Sequence, residues 1–204
     1  MAVADPDLPR LLRVMRHAFA AGRGHSPAVA AEAARVLDAL PDGQEPVPLT
    51  TALSPNDHPS LHQIPEAARR AGPAWTEALT PVARRLPWRF GYAPRPDLPD
   101  LQDRMAWAEI VGPAAPIHSD RVGFGLTLIG RDTLYPAHRH PAVELYAVVS
   151  GTAAWTLDSV TTQRPPGDFV LHPAQAVHAM RTAQEPLLAI YSWTGDILSP
   201  TAYA

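Results

Sequence analysis

The sequence predicts a mostly β protein: a small antiparallel β-barrel packed with a helical N-terminal region. Three observations predict it. The first 87 residues carry apolar side chains at helical spacing. After Asp103 the chain breaks into short runs rich in Val, Ile, Leu and aromatic residues, separated at regular intervals by Gly, Pro and Asp turns. Two of those runs hold histidines and a glutamate at a spacing that strand alternation brings to one face. The expected division is a helical region over 1–87, an extended linker over 88–104 and a metal-binding β-barrel over 105–204. A chain of 204 residues can bury one good core, or one core with a helical appendage.

Each element has a local reason. Leu8, Leu11, Leu12, Met15 and Phe19 follow helical spacing, with Asp5 or Asp7 as cap. This stripe is a packing face or, equally, a dimer surface, so a homodimer stays open. Ser26-Pro27 is a cap followed by proline at the first helical position. The alanine-rich run behind it reads as a helix to Leu40, ended by Pro41-Asp42-Gly43. Residues 44–57 read as a loop. Helices follow near 60–71 and from Trp75 to Leu86, where Pro87 stops the last one. The proline-rich stretch WRFGYAPRPDLPDL (88–101) reads as extended. Strands are expected over Met105–Val111, Val122–Gly130, Val143–Ser150, Ala153–Asp158, Asp168–Leu171 and Leu187–Trp193.

Composition removes whole reaction classes. The chain has no cysteine, which excludes thiol nucleophiles, thiolate-ligated metals and disulfides. It also has no lysine, all 17 basic residues being arginine, which excludes a lysine Schiff base and a P-loop lysine. The net charge of −3 comes with no basic patch, so no nucleic-acid partner is expected. No apolar run approaches the roughly 18 residues that cross a bilayer. The acidic start MAVADPDLPRLLRV is wrong for a secretory signal, so no membrane partner and a cytoplasmic location are expected. The 24 prolines are spread without period and read as rigid connections.

The chemistry sits between Gly130 and Gly151, GRDTLYPAHRHPAVELYAVVSG. His138, His140 and Glu144 stand at HxHxxxE spacing, and RPPGDFVLHPAQAVH supplies His178. Imidazole and carboxylate bind borderline divalent ions. Side chains at i and i+2 share a strand face, so His138 and His140 can converge, Glu144 and Tyr146 share that parity, and Arg139 points away. Pro165-Pro166-Gly167-Asp168 makes the turn whose strand returns His178 to the first ribbon. Three imidazoles and one carboxylate leave open positions on one divalent transition metal (Zn, Fe, Mn, Co or Ni), as a catalytic ion needs. The remaining histidines, His17, His25, His58, His62 and His118, have no ligand spacing and read as surface residues. His172 reads as an exposed strand-end histidine, with a place behind the ligands or facing the substrate as the alternative.

The pattern G-x7-HxH-x3-E-x6-G followed by PxGD-x9-H resembles the two metal motifs of the cupin superfamily, a double-stranded β-helix, over about 130–180. Its first motif has seven residues, where the family has five, between Gly130 and His138. A narrower resemblance runs over roughly 88–197. There WRFGY, DRMAWAEIVGP, LTLIGRDTLYPAHRHPAVELYAVVSGTAAWTLD, RPPGDFVLHPAQAVHAMRT and EPLLAIYSWTGDI are similar to the cupin-type dimethylsulfoniopropionate lyases. That resemblance implies cleavage of a zwitterionic small molecule, dimethylsulfoniopropionate, to dimethyl sulfide and acrylate. It implies His138, His140, Glu144 and His178 as metal ligands, Tyr146 as catalytic base and Tyr135 near the substrate. The rival readings are another metal-dependent cupin enzyme, an isomerase or a dioxygenase acting on a small acid, and a non-catalytic cupin that binds or senses a small ligand.

The implied reaction suits these residue types. A metal on the substrate carboxylate stabilises the charge that develops when the neighbouring carbon loses its proton. A tyrosine near its ordinary pKa of ~10 is a poor base, and a dication close by favours phenolate. The sulfonium needs aromatic faces, for which Trp107, Phe124, Tyr135, Tyr146, Trp155, Tyr191 and Trp193 are candidates. Trp107, Trp155 and Trp193 read first as core.

Overall fold

The computed structural model describes residues 4–41 and 48–204. Of the expected turn at Pro41-Asp42-Gly43 and loop over 44–57, residues 42–47 lie outside the described residues. Helix α1 spans Leu8–Ala20. The Asp5 carboxylate accepts hydrogen bonds from the N–H groups of Asp7 and Leu8, at 3.0 and 3.2 Å, so Asp5 is the cap. Leu8, Leu11, Met15 and Phe19 are fully buried. The stripe read as a packing or dimer face is therefore spent inside the chain. Helix α2 spans Pro27–Ala39, and the Ser26 hydroxyl accepts from Val29 N–H at its start.

The expected helix over 60–71 is two pieces, a 3-10 turn (Pro59–Gln63) and α3 (Ile64–Ala71). Pro65 has no N–H to return to Leu61, so one α ladder cannot run through both. Gly72, at φ 100°, separates α3 from α4 (Pro73–Leu79). Helix α4 stops short of Leu86 because Pro81 cannot donate to Glu77; a 3-10 turn over Ala83–Arg85 follows. Residues 88–104 are more than a tether. They hold strand β1 (Trp88–Arg89) and the single turn α5 (Leu101–Arg104). Trp88 is buried and donates its indole N–H to Ala83 O at 2.8 Å.

The strands that follow are β2 (Met105–Gly112), β3 (Ile117–His118), β4 (Gly123–Ile129), β5 (Leu134–Arg139), β6 (Val143–Ser150), β7 (Ala153–Leu157), β8 (Val160–Arg164), β9 (Phe169–His172), β10 (His178–Thr182), β11 (Leu187–Thr194) and β12 (Ala202–Tyr203). They form two sheets. One runs β1-β2-β4-β11-β6-β9, with β3 on β2, and the other runs β12-β5-β10-β7-β8. All pairings are antiparallel except β2 with β3. The expected barrel is thus two sheets whose inner faces meet, with no continuous hydrogen-bonded ring among the described strands. Gly151, at φ 78°, turns β6 into β7, and a Cβ there would lie 2.1 Å from Pro186 O.

Strand alternation divides the core. The outer face of the larger sheet, with Ala106, Ile110, Phe124, Leu126, Leu128, Leu145 and Ile190, packs on helices α1–α4. The inner face and the second sheet enclose Met105, Tyr135, Tyr146, Trp155, Met180 and Tyr191, with Trp107 and Trp193 at the edge. No helix among the described residues is long and apolar enough to cross a membrane.

Candidate metal centre

Strands β5 and β10 pair so that His138 stands opposite His178. His140 follows the end of β5, and Arg139 between the two histidines is exposed, as alternation requires. Glu144 and Tyr146 share the inner face of β6, and Glu144 is opposite Trp193 on β11 and His172 on β9. All four residues of the sequence pattern are buried.

The hydrogen bonds fix where the lone pairs point. The Nδ1 atoms of His138, His140 and His178 lie 2.8, 3.0 and 2.9 Å from the carbonyl oxygens of Pro136, Ala142 and Ala176. A carbonyl only accepts, so each Nδ1 carries the proton and each neutral ring keeps its lone pair on Nε2. The Nε2 atoms of His140 and His178 lie 3.1 and 3.3 Å from Glu144 Oε2. His178 Nε2 is buried without a hydrogen-bond partner. Two imidazole lone pairs and a carboxylate oxygen therefore face one another, an arrangement that repels itself unless a cation sits among them. Ligand bonds of about 2.0–2.2 Å put neighbouring donors about 3.0–3.5 Å apart, and these separations match. His140, Glu144 and His178 thus form a buried group able to hold a metal ion. His138 stands beside that group, its ring 4.0 Å from the His178 ring and 6.4 Å from that of His140.

Glu144 is the electrostatic centre. Burial works to raise its pKa, but the surrounding imidazoles hold it well below the usual carboxylate range. Its Oε1 accepts from the Trp193 indole N–H at 2.7 Å. The same carboxylate overcomes the burial of His140 and raises that imidazole's pKa, while burial leads for His138 and pushes it well down. A carboxylate that draws positive charge this strongly draws a proton or a metal ion alike.

His172 is a correction. It is fully buried, not an exposed strand end. Its Nε2 accepts from the Trp155 indole N–H at 2.9 Å, so Nδ1 carries the proton and donates to Glu144 Oε2 at 2.9 Å. Both ring nitrogens are spent, and no lone pair remains for a metal. Burial pushes its pKa down to about 4, so the ring is neutral near pH 7. It stacks on His178 with ring centroids 3.8 Å apart. Of the histidines read as surface residues, His17, His25, His62 and His118 are exposed, while His58 is half-buried and accepts from Ser60 N–H.

Of this group, Glu144 lines a cavity of about 430 Å³. Trp107, Tyr135, Tyr146, Tyr191 and Trp193 line it, with Tyr92, Glu109 and Thr127. Phe124 and Trp155 do not: Phe124 faces the helices, 5.4 Å from the Phe19 ring, and Trp155 lies beneath His172. Tyr146 is buried, its hydroxyl 3.5 Å from Thr127 Oγ1, and burial together with the Glu144 charge pushes its pKa well up. The Tyr135 ring stacks on His138 at 4.0 Å, and its hydroxyl bonds that of Tyr92. Tyr92 comes from the stretch read as a linker, where no spacing marked it.

A family model described as dimethylsulfoniopropionate lyase matches residues 29–189. The chain belongs to the dimethylsulfoniopropionate lyase family. It is a carbon–sulfur lyase by that membership. It is 30% identical to dimethylsulfoniopropionate lyase DddQ of Ruegeria pomeroyi over 97% of this chain and 94% of the relative. It is 33% identical to a putative dimethylsulfoniopropionate lyase, DddL, of Cereibacter sphaeroides over 63% of this chain and 54% of that protein. The crystal structure of the Ruegeria pomeroyi DddQ lyase superimposes with a TM-score of 0.78 at 27% identity, covering 98% of both chains. A second structure, titled for the lyases RdDddP and RnDddQII, does so at 0.74 and 25% over 97% of both. The likenesses that cover 97–98% of this chain run through the helices as well as the sheets. The family match contains Tyr92, Tyr135, the 138–146 ribbon, His172 and His178, and stops before Trp193.

Proposed function

We propose that this lyase cleaves dimethylsulfoniopropionate to dimethyl sulfide and acrylate by a metal-dependent β-elimination. The observation that carries the reading is the convergence of two imidazole lone pairs and the Glu144 carboxylate at 3.1–3.3 Å in a buried pocket. His140, Glu144 and His178 hold one divalent transition ion, and His138, with its Nδ1 proton tied to Pro136, offers a fourth donor. Bound there, the ion supplies Lewis acidity towards the substrate carboxylate and positive charge that favours a nearby phenolate.

The chain's own groups do the rest. Tyr146, on the same face of β6 as Glu144, is the base. It takes a proton from the carbon next to the carboxylate. That electron pair becomes the new carbon–carbon double bond, the bond to sulfur breaks, and dimethyl sulfide leaves as a neutral molecule without a general acid. Tyr135, anchored by Tyr92 and stacked on His138, helps place the substrate from the cavity wall. Trp193 and His172 hold the two oxygens of Glu144 in position from opposite sides.

Incubating purified protein with dimethylsulfoniopropionate should yield dimethyl sulfide in the headspace and acrylate in solution in equal amounts. Tyr146→Phe should lower turnover about 10²–10⁴-fold while metal content, measured by elemental analysis, stays as in the parent protein. Turnover retained in that variant would remove Tyr146 as the base.

A further inference from the structure

One charged group in the cavity wall has no partner in the proposed mechanism. Glu109 lies on β2, two residues from Trp107 and on the same inward face, and both line the cavity. Its carboxylate makes no hydrogen bond or ion pair with any described residue. Desolvation raises its pKa, and Arg89, exposed at the cavity rim, pulls the other way only through space. The carboxylate rests against bare backbone. A Cβ at Gly112 would come within 2.2 Å of Oε1, and one at Gly123 within 3.7 Å of Oε2.

Its place relative to Tyr146 is set by strand register. Glu109 pairs with Gly125, Gly125 with Tyr191, and Tyr191 with Tyr146, a single row across β2, β4, β11 and β6. Gly125 has no side chain to fill its step of the row, and a Cβ there would lie 2.9 Å from Tyr191 Cε1. The row therefore reads base, aromatic ring, a glycine over which that ring lies, and carboxylate.

A methylated onium head carries positive charge and has no N–H or O–H to donate. Only negative charge and aromatic faces can recognise it. A carboxylate that no protein donor satisfies, sharing a cavity wall with the Trp107 and Tyr191 rings, matches that chemistry and wastes no donor. We infer that Glu109 is the cation-recognising end of this cavity, selecting a sulfonium or quaternary-ammonium head against a neutral one. The inference rests on the proposed function for the orientation of the substrate, with its carboxylate towards Glu144 and its cation towards Glu109.

The test uses two non-reacting probes with the same carboxylate, 3-(trimethylammonio)propionate and the neutral 3-(methylthio)propionate. Their binding to the metal-loaded protein is measured by calorimetry. The parent protein should prefer the cationic probe by about tenfold or more. Glu109→Gln should bring the two probes within about twofold by weakening the cation alone. Glu109→Asp, which keeps the charge one carbon shorter, should retain part of the preference and serves if the Gln variant does not fold. An undiminished preference in Glu109→Gln, or none in the parent, overturns the inference. Because neither probe is turned over, the result is independent of the lyase assay: absence of dimethyl sulfide with the preference intact would sink the reaction and leave this site standing.

Discussion

The two faces of the larger sheet are built from the same strands and do different work. On β6, Leu145 and Ala147 face the helices while Glu144 and Tyr146 face the cavity. On β2, Ala106, Ala108 and Ile110 face outward and Trp107 and Glu109 inward. On β11, Leu188 and Ile190 face outward and Tyr191 and Trp193 inward. The outer face is apolar and closely packed, and helices cover it. The inner face holds carboxylates, imidazoles and aromatic rings around open space. Burial on the inner face costs stability, since Glu144 must be desolvated while only Trp193 and His172 donate to it and the His140 and His178 lone pairs face it. The outer face and its helices supply the compensation. Stability and chemistry should therefore respond separately to substitution.

Phe19→Ala tests that separation with the largest expected effect. It removes the helix side of the contact with Phe124 at 5.4 Å and should cost about 3–5 kcal/mol in a denaturant melt. Metal content and turnover per folded molecule should stay as in the parent; a matching loss of both would mean that the faces are coupled. His172→Phe probes the inner face. It keeps a ring in place but withdraws one donor from Glu144 and leaves the Trp155 N–H unpaired. It should weaken metal affinity about 10–100-fold in a chelator competition, with a loss of about 1–3 kcal/mol in melting. Unchanged affinity would reduce His172 to a packing residue.

Asp5→Asn gives the smallest effect and belongs wholly to the outer architecture. Asp5 caps α1 and binds Arg85 at 2.8 Å. Burial pushes its pKa up, but Arg85 and the two backbone N–H groups win and lower it. The unfolded chain therefore takes up the proton first. The contribution is whole above the ordinary aspartate value of 3.8 and fades as pH falls below it. The variant should lose about 0.5–1 kcal/mol near pH 7, and the gap should close in the acid range. A gap that does not narrow as pH falls below the ordinary aspartate value of 3.8 would assign the loss to something other than the charge.

Much of this was legible in the residues. The period-2 runs after Asp103 and the HxHxxxE spacing carry the barrel and the ligand ribbon, because alternation and metal chemistry both leave local marks. Helix ends were less legible. Pro65 and Pro81 each break an α ladder inside a stretch whose apolar spacing runs on. His172 was hidden because nothing nearby in sequence pairs with it; its partners, Glu144 and Trp155, arrive through strand register. Tyr92 was hidden in a proline-rich stretch with no period at all. Glu109 did leave a signal: in MAWAE it shares parity with Met105 and Trp107, so a charge on an otherwise apolar inward face was there to be read.

The central claim is that the inner face carries a metal-dependent elimination centre. It is tested most directly by headspace dimethyl sulfide from one preparation assayed as purified, after chelation and after reloading with Zn, Fe, Mn, Co or Ni. The account predicts release that disappears on chelation and returns with at least one of these ions. Release undiminished by complete metal removal, or no release with any of the five, would contradict it.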